Sequence, residues 1–404
     1  MIEKKVTDNG ITVIFDSIDN ISTCSLGVFV RTGSKDELPD EDGISHVLEH
    51  MMFKGTEKRN YFEISEEVDY LGASINAHTS KEETVYYINS LSEYINKSSD
   101  ILFDIVTDSL FSEKELEKEK DVIIEEIKMY EDMPDDLVFE LNYRDAIKGN
   151  LGKNIIGTEE SVKSFTSTKI SQYYNERYTK DNIVIVISGK FDKQEIIDNI
   201  EKYFGKLKDN VVQKYATIPF EFNVGNSKHE KDIKQVNICI THNGLSYMDE
   251  KRFYFDIVSN IMGGSMSSRL FQEIREEQGL AYSVYTYSQA YKEGGVVSTY
   301  IGTSKESYEK AVEITLKEFT KLRENGILTK ELDKAKNKFL SKIAFSMENP
   351  RSRMSILGNY YLRNKVIFEV EEVKKEIMSL EENVINQFLK DKFTGNNITV
   401  LGNV

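Results

Sequence analysis

The sequence predicts a protein that mixes strands and helices in two successive halves of the same shape. Its 404 residues are enough for two domains with sizeable cores. Hydrophobic patterns typical of strands and helices follow in the same order in both halves. In addition, Lys114-Glu115-Leu116 with Pro134 matches Lys330-Glu331-Leu332 with Pro350, each at an offset of 216 residues (330 − 114 and 350 − 134). Such a repeated order is typical of an internal duplication.

The first half begins with a predicted β-hairpin. Asn9-Gly10 lies between two runs rich in strand-forming residues, and both residues tolerate positive φ. Later in this half, Pro134 closes the long helical region predicted at 98–133, since proline lacks the amide donor that a helix uses. The hydrophobic patterns predict a strand at 23–31, helices within 43–72, strands at 74–79 and 84–91, a broken helix at 98–133, a strand at 183–188 and a helix at 193–204.

The second half repeats this order. Its predicted elements are a strand at 236–242, a helix at 253–262, strands at 282–289 and 296–302, and helices at 305–325 and 329–348. The stretch from about 206 to 234 is polar and is the predicted linker. We therefore predict two domains, residues 1–215 and 216–404.

Composition and charge exclude several classes of function. The chain has 52 Lys and Arg against 68 Asp and Glu, a net charge of −16, which argues against a surface that binds nucleic-acid phosphates. Cys24 and Cys239 are too few for a disulfide framework or a thiolate zinc cluster, which favours a reduced compartment. The N-terminus shows no secretory signal, and no apolar run reaches the ~18 residues of a membrane span. We expect a cytoplasmic protein with no nucleic-acid or membrane partner.

The segment His46-Val47-Leu48-Glu49-His50 has the spacing of a metal site. On a helix that advances about 100° per residue, His46 and His50 lie one turn apart on one face, with Glu49 beside them. Two imidazoles at this spacing can bind one divalent metal ion with tetrahedral geometry. The alternative is an accidental grouping of two core histidines and a surface glutamate. Because the whole chain has only five histidines, we favour the metal site.

A zinc ion bound by two histidines needs a third protein ligand and leaves the fourth position for water. No other histidine is an obvious candidate, and the acid-rich helix predicted at 115–130 offers several carboxylates. On its helical wheel, Glu119 and Glu126 lie in the middle of the apolar face, whereas Glu125 lies about 120° away on the solvated side. The apolar residues of that face are Leu116, Val122, Ile123, Ile127 and Tyr130.

These positions predict Glu126 as the third ligand and Glu119 as a group that orients a ligand or the catalytic residue. The alternative for both is a salt-bridged acid or one that extends to solvent.

With these residues in place, the chain resembles the pitrilysin/insulinase family of zinc peptidases, whose motif is the inverted His-x-x-Glu-His. The resemblance rests on that motif followed after 76 positions (126 − 50) by Glu126, and it covers nearly the whole chain. Four further segments carry it: 50–56, 72–79, 267–275 and 279–284. It is closest to the processing-peptidase branch, that of the β subunit of mitochondrial processing peptidase and its single-chain bacterial relatives.

The resemblance implies an α+β fold with two homologous domains, each a mostly antiparallel sheet covered by helices, in a clamshell-type assembly around a peptide chamber. It implies one Zn²⁺ per chain, bound by His46, His50 and Glu126. A two-domain chain is half of the family's four-domain clamshell. A homodimer is therefore expected, and a heterodimer with an inactive homologue is the alternative.

The resemblance also assigns roles to single residues. Glu49 becomes the general base of a metal-assisted peptide hydrolysis, and Glu119 matches an additional acidic residue of the family. Asn76 and Ala77 match a strand whose edge pairs with the substrate backbone.

Further residues matter for the substrate. Arg275 and Tyr282 match groups that reach the site from the second domain, where they would hold the substrate carbonyl. Phe53 matches an aromatic residue that lines the pocket after the cleaved bond. Asp136 and Glu140 match acids that recognise an arginine near that bond, although acid pairs on helices are also common on solvated faces.

The second half lacks the metal motif. At positions 210 residues beyond the motif stand Asp256, Ser259 and Asn260, and Lys342 stands opposite Glu126 at the offset of 216. A lysine opposes metal binding, so the sequence predicts that one half catalyses and the other completes the substrate chamber.

The sequence thus predicts a zinc-dependent endopeptidase for short or unfolded, basic, presequence-like peptides. The alternative is a non-catalytic structural or partner subunit that keeps the fold. The complete set of His46, Glu49, His50 and Glu126 argues against that alternative, since such members of the family usually lose part of the site.

Overall fold

The computed structural model describes residues 2–209 and 219–404. These residues form two compact units, each built from three segments of the chain. Unit 1 comprises residues 2–128, 154–209 and 345–368, and unit 2 comprises residues 129–153, 219–344 and 369–404.

Eleven strands occur within the described residues. They are β1 (Ile2–Val6), β2 (Thr12–Ser17), β3 (Thr23–Val30), β4 (Ser74–Thr79), β5 (Thr84–Leu91), β6 (Ile183–Gly189), β7 (Gly225–Glu230), β8 (Val236–Asn243), β9 (Ala281–Ala290), β10 (Gly295–Thr303) and β11 (Asn396–Gly402).

The same residues contain fourteen α-helices. They are α1 (Ile44–Met51), α2 (Tyr61–Tyr70), α3 (Ile95–Asp108), α4 (Glu113–Glu131), α5 (Pro134–Ala146), α6 (Glu159–Ser164), α7 (Ser167–Arg177), α8 (Lys193–Phe204), α9 (Arg252–Gly263), α10 (Tyr308–Asn325), α11 (Thr329–Ser346), α12 (Pro350–Asn364), α13 (Val370–Met378) and α14 (Glu382–Leu389). The predicted strands at 74–79 and 84–91 and the predicted helix at 193–204 are confirmed to the residue.

Each unit contains one mixed sheet with mostly antiparallel strands. The strand order in unit 1 is β1-β2-β6-β3-β5-β4, and the order in unit 2 is β7-β11-β8-β10-β9. In both sheets a single pair is parallel, β2 with β6 and β7 with β11, and it occupies the same place when the strands are counted from the β4 and β9 edges. The predicted α+β class, with two similar halves that each cover a sheet with helices, is confirmed.

The core of unit 1 lies between its sheet and the helices that carry the predicted motif residues. Buried side chains of β3 and β5, such as Val28 and Ile88, pack in one apolar cluster with Leu48 of α1 and Ile105 of α3. Strand β3 is buried along almost its whole length, which fits its central position in the sheet. This packing fixes the position of α1 on the sheet.

Two helices belong to units other than those that the contiguous predicted halves assigned to them. Helix α5 packs on the sheet of unit 2, where the Asn142 amide donates to the backbone oxygens of Cys239 and Asn397, both at 3.2 Å. Helix α12 packs on the sheet of unit 1 so closely that a Cβ on Gly27 would lie 2.9 Å from the Met354 sulfur. An amphipathic pattern shows that a helix buries one face but not which sheet it covers.

Three further predictions about elements need comment. Pro134 does not close the preceding helix; α4 ends at Glu131 and Pro134 is the first residue of α5, where its missing donor costs nothing. The predicted linker contains β7, whose polar residues alternate in exposure along the sheet edge. The predicted domain boundary at 215/216 lies outside the described residues.

Within residues 2–209 and 219–404, no helix is both long and apolar enough to cross a membrane.

Candidate metal centre

Helix α1 presents the predicted motif because its apolar residues take the sheet side. Ile44, Val47, Leu48 and Met51 are fully buried. The three residues between them, His46, Glu49 and His50, are only partly buried and lie on the other side of the helix.

The N-terminus of α1 is capped from a distance. Gly43 adopts φ +89° and has no side chain to serve as an N-cap. The buried Glu37 carboxylate takes that role and accepts hydrogen bonds from the N–H groups of Gly43 (2.9 Å) and Ser45 (3.0 Å). Burial raises the pKa of Glu37 to about 8, and its two hydrogen bonds satisfy amide groups at the start of α1, which helps to fix the helix in place.

The three predicted ligands come together in unit 1. Glu126 Oε2 of α4 lies 3.8 Å from His46 Nε2 and 3.5 Å from His50 Nε2. One ligand atom from each residue lies within 4.8 Å of the other two, and the two imidazole rings are 4.6 Å apart. Among the described residues, this is the one group of three His, Cys, Asp or Glu side chains arranged to hold a metal ion.

Glu119 contacts this group through His50. Its Oε1 accepts a hydrogen bond from His50 Nδ1 at 2.8 Å, and its Oε2 lies 2.5 Å from Lys54 Nζ. Only 5% of Glu119 is exposed. A carboxylate that holds the second ring nitrogen fixes the tautomer and orientation of a ligating histidine. The predicted orienting position of Glu119 is thus consistent with its contacts.

The apolar face of α4 differs from the predicted one. Val122 and Tyr130 are 51% and 36% exposed, whereas Lys120 and Ile124 are buried with Leu116, Ile123 and Ile127. The centre of the buried face is therefore displaced by about 70° from Glu119, and Glu126 lies at its border. A border position is suitable for a ligand, because the backbone is held by packing while the carboxylate extends into the cleft beside α1.

The three predicted ligands shift one another's pKa values. Burial and the neighbouring His50 lower the pKa of His46 to about 4. Burial also opposes a charge on His50, but its hydrogen bonds to Glu119 and Glu126 outweigh burial and raise its pKa to about 9. The hydrogen bond from His50 in turn holds the pKa of Glu126 below its usual value.

Glu49 lies beside the ligands on α1 and contacts β4. Its Oε2 accepts a hydrogen bond of 2.5 Å from the Thr79 hydroxyl. Burial raises the pKa of Glu49, and the hydrogen bonds from Thr79 oppose that rise. A carboxyl group that acts as a general base near neutral pH needs a raised pKa.

This donor set fits zinc better than calcium or magnesium. Two imidazole nitrogens and one carboxylate oxygen form a ligand set of catalytic zinc sites, whereas calcium and magnesium select oxygen ligands. His50 has the carboxylate partner that zinc-bound histidines need, while the buried Nδ1 of His46 has no hydrogen-bond partner among the described residues. The residues present could therefore hold Zn²⁺ through His46, His50 and Glu126.

The predicted peptide-binding strand is an edge strand. β4 is the last strand of the unit 1 sheet and pairs only with β5 among the described strands. Asn76 is exposed and Ala77 is half-buried, and both lie on this edge. Phe53 packs against the core beside Tyr86, with the ring centres 6.4 Å apart. Its role in a pocket stays a prediction.

The other predicted residues lie in unit 2. Arg275 occupies a π-helical turn over Phe271–Glu277, with its guanidinium 5.3 Å from the ring centre of Tyr282, which is 80% exposed. Asp136 and Glu140 lie one turn apart on α5, where burial and then Asp135 raise the pKa of Asp136. Their roles toward a substrate stay predictions.

Three functional contacts were missing from the predictions. Lys54 binds Glu119, Thr79 binds Glu49, and Glu37 caps α1. Lys54 and Thr79 lie inside segments that carry the family resemblance, which was the one available signal. Their partners are 65 (119 − 54) and 30 (79 − 49) residues away in sequence, so no local spacing reveals these contacts.

Two family models and several relatives match this chain. Residues 12–159 match the family model described as insulinase (peptidase family M16), and residues 164–339 match the one described as peptidase M16 inactive domain. An uncharacterized zinc protease of Bacillus subtilis, YmxG, is 37% identical over 385 residues, 93% of each chain. One from Rickettsia felis is 34% identical over 94% of this chain and 92% of its own.

Solved structures agree in fold. A peptidase M16 inactive domain from Pseudomonas fluorescens matches with a TM-score of 0.91 and 19% identity over 100% of this chain and 98% of the other. A protease from Helicobacter pylori matches with a TM-score of 0.90 and 19% identity over 99% of each chain. At such identities the likeness concerns the fold. Together with the family models and the relatives, these matches show that the chain belongs to the insulinase (M16) family of peptidases.

Proposed function

We propose that this protein is a zinc-dependent endopeptidase that hydrolyses short or unfolded, basic peptides. The observation that carries the proposal is the convergence of His46, His50 and Glu126 with Glu49 beside them. Relatives named zinc proteases support the same class of function.

The residues of unit 1 would have separate roles in the reaction. Zinc, when bound by His46, His50 and Glu126, would polarise the substrate carbonyl and lower the pKa of a water molecule. Glu49 would accept the proton of the attacking water and deliver it to the leaving amine. Glu119 and Lys54 would keep His50 oriented, because Glu119 holds its second nitrogen and Lys54 holds Glu119.

The edge of β4 would bind the peptide as an added strand. The strand is paired on one side only among the described strands and lies directly beside α1. Main-chain hydrogen bonds along such an edge give affinity without selecting a sequence, which suits a peptidase with varied substrates. Asn76 and Ala77 would be the main contacts.

The preference for basic peptides rests on charge. The net charge of −16 favours the approach of cationic substrates. Asp136 and Glu140, one turn apart on α5, would accept a substrate guanidinium, which carboxylates bind more strongly than a neutral group. Arg275 and Tyr282 would assist the reacting carbonyl. We further propose a homodimer, with a heterodimer that includes an inactive homologue as the alternative.

The test is cleavage of a fluorogenic, arginine-containing peptide by the zinc-loaded protein, with Glu49→Gln and a chelator as probes. Glu49→Gln should retain zinc and lose at least about 1,000-fold in kcat, since the general base is gone. Glu125→Gln is the matched control, because Glu125 is exposed on α4 and forms an ion pair with the solvent-facing Lys128.

Zinc binding with no cleavage across a varied peptide set would contradict the proposal. It would favour a non-catalytic structural or partner subunit, and adding a candidate partner chain would then be the next measurement.

A further inference from the structure

Thr79 contacts the proposed general base through two groups at the end of β4. Its hydroxyl donates to Glu49 Oε2 at 2.5 Å, and a weaker hydrogen bond from its backbone N–H also helps to lower the pKa of Glu49. Hydrogen bonds to a charged carboxylate are shorter and stronger than those between neutral groups. Two donors from one residue of a rigid strand restrict the carboxylate more than one donor would.

The backbone of β4 explains why both donors point to the same place. The N–H of Ser80 donates inward to the Glu83 oxygen at 2.8 Å, on the side of β5. Successive residues of an antiparallel strand direct their amides to opposite sides, so Thr79 and Ala77 direct theirs to the open edge. The Thr79 amide therefore belongs to the surface at which a peptide strand would pair.

The two edge amides have different acceptors. The N–H of Ala77 donates to the side-chain oxygen of its exposed neighbour Asn76 at 2.7 Å. That oxygen belongs to a carboxamide that can turn away and leave the amide to a peptide carbonyl. At Thr79 the acceptor is Glu49, and a peptide could take this amide only by displacing the group that is needed for proton transfer.

We propose that Thr79 is a positioning residue that fixes the Glu49 carboxylate and ends the substrate ladder at Ala77. This inference rests on the proposed peptidase function and deepens it. Because one strand carries both the exchangeable amide of Ala77 and the fixed donors of Thr79, the register of the peptide and the position of the base are set by the same element.

The first test compares Thr79→Val with Thr79→Ser in the zinc-loaded protein. Valine keeps the β-branched shape and removes the hydroxyl, while serine keeps the hydroxyl. We expect Thr79→Val to lower kcat by about 10-fold or more, with KM within about twofold of wild type and an unchanged zinc content. Thr79→Ser should recover most of kcat.

Thr84→Val is the matched control. Thr84 pairs with Thr79 across the hairpin, is 1% exposed, and donates its hydroxyl to the backbone oxygen of Thr32 at 2.9 Å. It should lower stability and leave kcat within about twofold. A Thr79→Val enzyme with normal kcat, or one that changes only KM, would overturn the positioning role.

The second test needs no activity and follows amide hydrogen exchange in the metal-free protein. Glu49→Ala should accelerate exchange of the Thr79 amide by at least about 10-fold while leaving the Ala77 amide unchanged. Saturating peptide should protect the Ala77 amide and add no protection at Thr79. Unchanged exchange at Thr79 in Glu49→Ala, or new protection there with peptide, would overturn the inference even if the wild type cleaved no peptide.

Discussion

Helix α1 of unit 1 and helix α9 of unit 2 follow equivalent strands, β3 and β8, yet only one presents a metal motif. Where α1 has His46 and His50, the matching positions of α9 hold Asp256 and Asn260. Opposite α1 stands Glu126, and its counterpart on α11 is Lys342. An imidazole and a carboxylate in unit 1 thus correspond to a carboxylate and an amine in unit 2.

At the matching place in unit 2, the buried carboxylate of Asp256 is satisfied by neighbouring side chains. Burial raises the pKa of Asp256, while the hydroxyl of Ser288 donates to its carboxylate and the nearby charges of Lys342 and Arg252 oppose that rise. Unit 1 instead directs three electron-pair donors at one point. The same backbone arrangement thus carries a candidate metal centre or a closed polar contact according to a few side chains.

The largest effect is expected from giving unit 1 the amine of unit 2. Glu126→Lys should abolish stoichiometric zinc binding and reduce peptide cleavage by at least about 1,000-fold, because an ammonium repels the metal and supplies no lone pair. Zinc content by elemental analysis measures the first result. Glu125→Lys carries the same charge change at a side chain that is 72% exposed and should retain zinc and activity.

The reverse change tests whether a carboxylate at the matching position is enough to create a zinc site. Lys342→Glu should not create a zinc site in unit 2, since Asp256 and Asn260 provide no imidazole. A second zinc ion bound by that variant would show that the ligand set matters less than the scaffold.

A moderate effect is expected from removing the buried carboxylate behind the site. The counterpart of Glu119 on α11 is the buried Ala335. Glu119→Ala should weaken zinc binding by about 10- to 100-fold, because His50 loses the acceptor that orients it and Lys54 loses its partner. Competition with a chelator of known affinity measures the change, and an unaltered zinc affinity would contradict a supporting role for Glu119.

A smaller effect concerns the isolated histidine of unit 2. His242 is 1% exposed, and only its Nδ1 has a hydrogen bond, 3.1 Å from the Gly395 oxygen. Burial lowers the pKa of His242 to about 4, against about 6.5 in an unfolded chain. The neutral form is favoured in the fold, so the stability it contributes is complete above pH 6.5 and is lost as pH falls toward 4, by about 2 kcal/mol at pH 5.

His242→Leu should remove this pH dependence. Urea unfolding at pH 7.5 and pH 5 gives the free energy of unfolding of both proteins. Between these two pH values, the wild type should lose about 2 kcal/mol relative to the variant. Parallel stability profiles for the two proteins would contradict the assignment. The contrast with His50 is direct, since carboxylate partners raise the pKa of that histidine to about 9.

Most of the local structure and the central motif could be predicted from the amino-acid sequence. Hydrophobic periodicity fixed the strands of the β4–β5 hairpin and helix α8 to the residue, because each pattern reflects burial of one face of the element itself. The spacing of His46 and His50 indicated a metal site for the same reason: one turn of helix places both on one face. The repeat at an offset of 216 residues anticipated two sheets with matching strand orders.

Contacts between groups far apart in sequence depend on the tertiary structure. The helical wheel selected Glu126, which lies close to His46 and His50, but it placed the buried face about 70° from where packing sets it. It could not show that α5 and α12 each cover the sheet of the other predicted half, or that Lys54 and Thr79 hold Glu119 and Glu49. The hydrophobic periodicity of a segment indicates which side chains are buried. The residues that those side chains contact depend on how elements far apart in sequence pack.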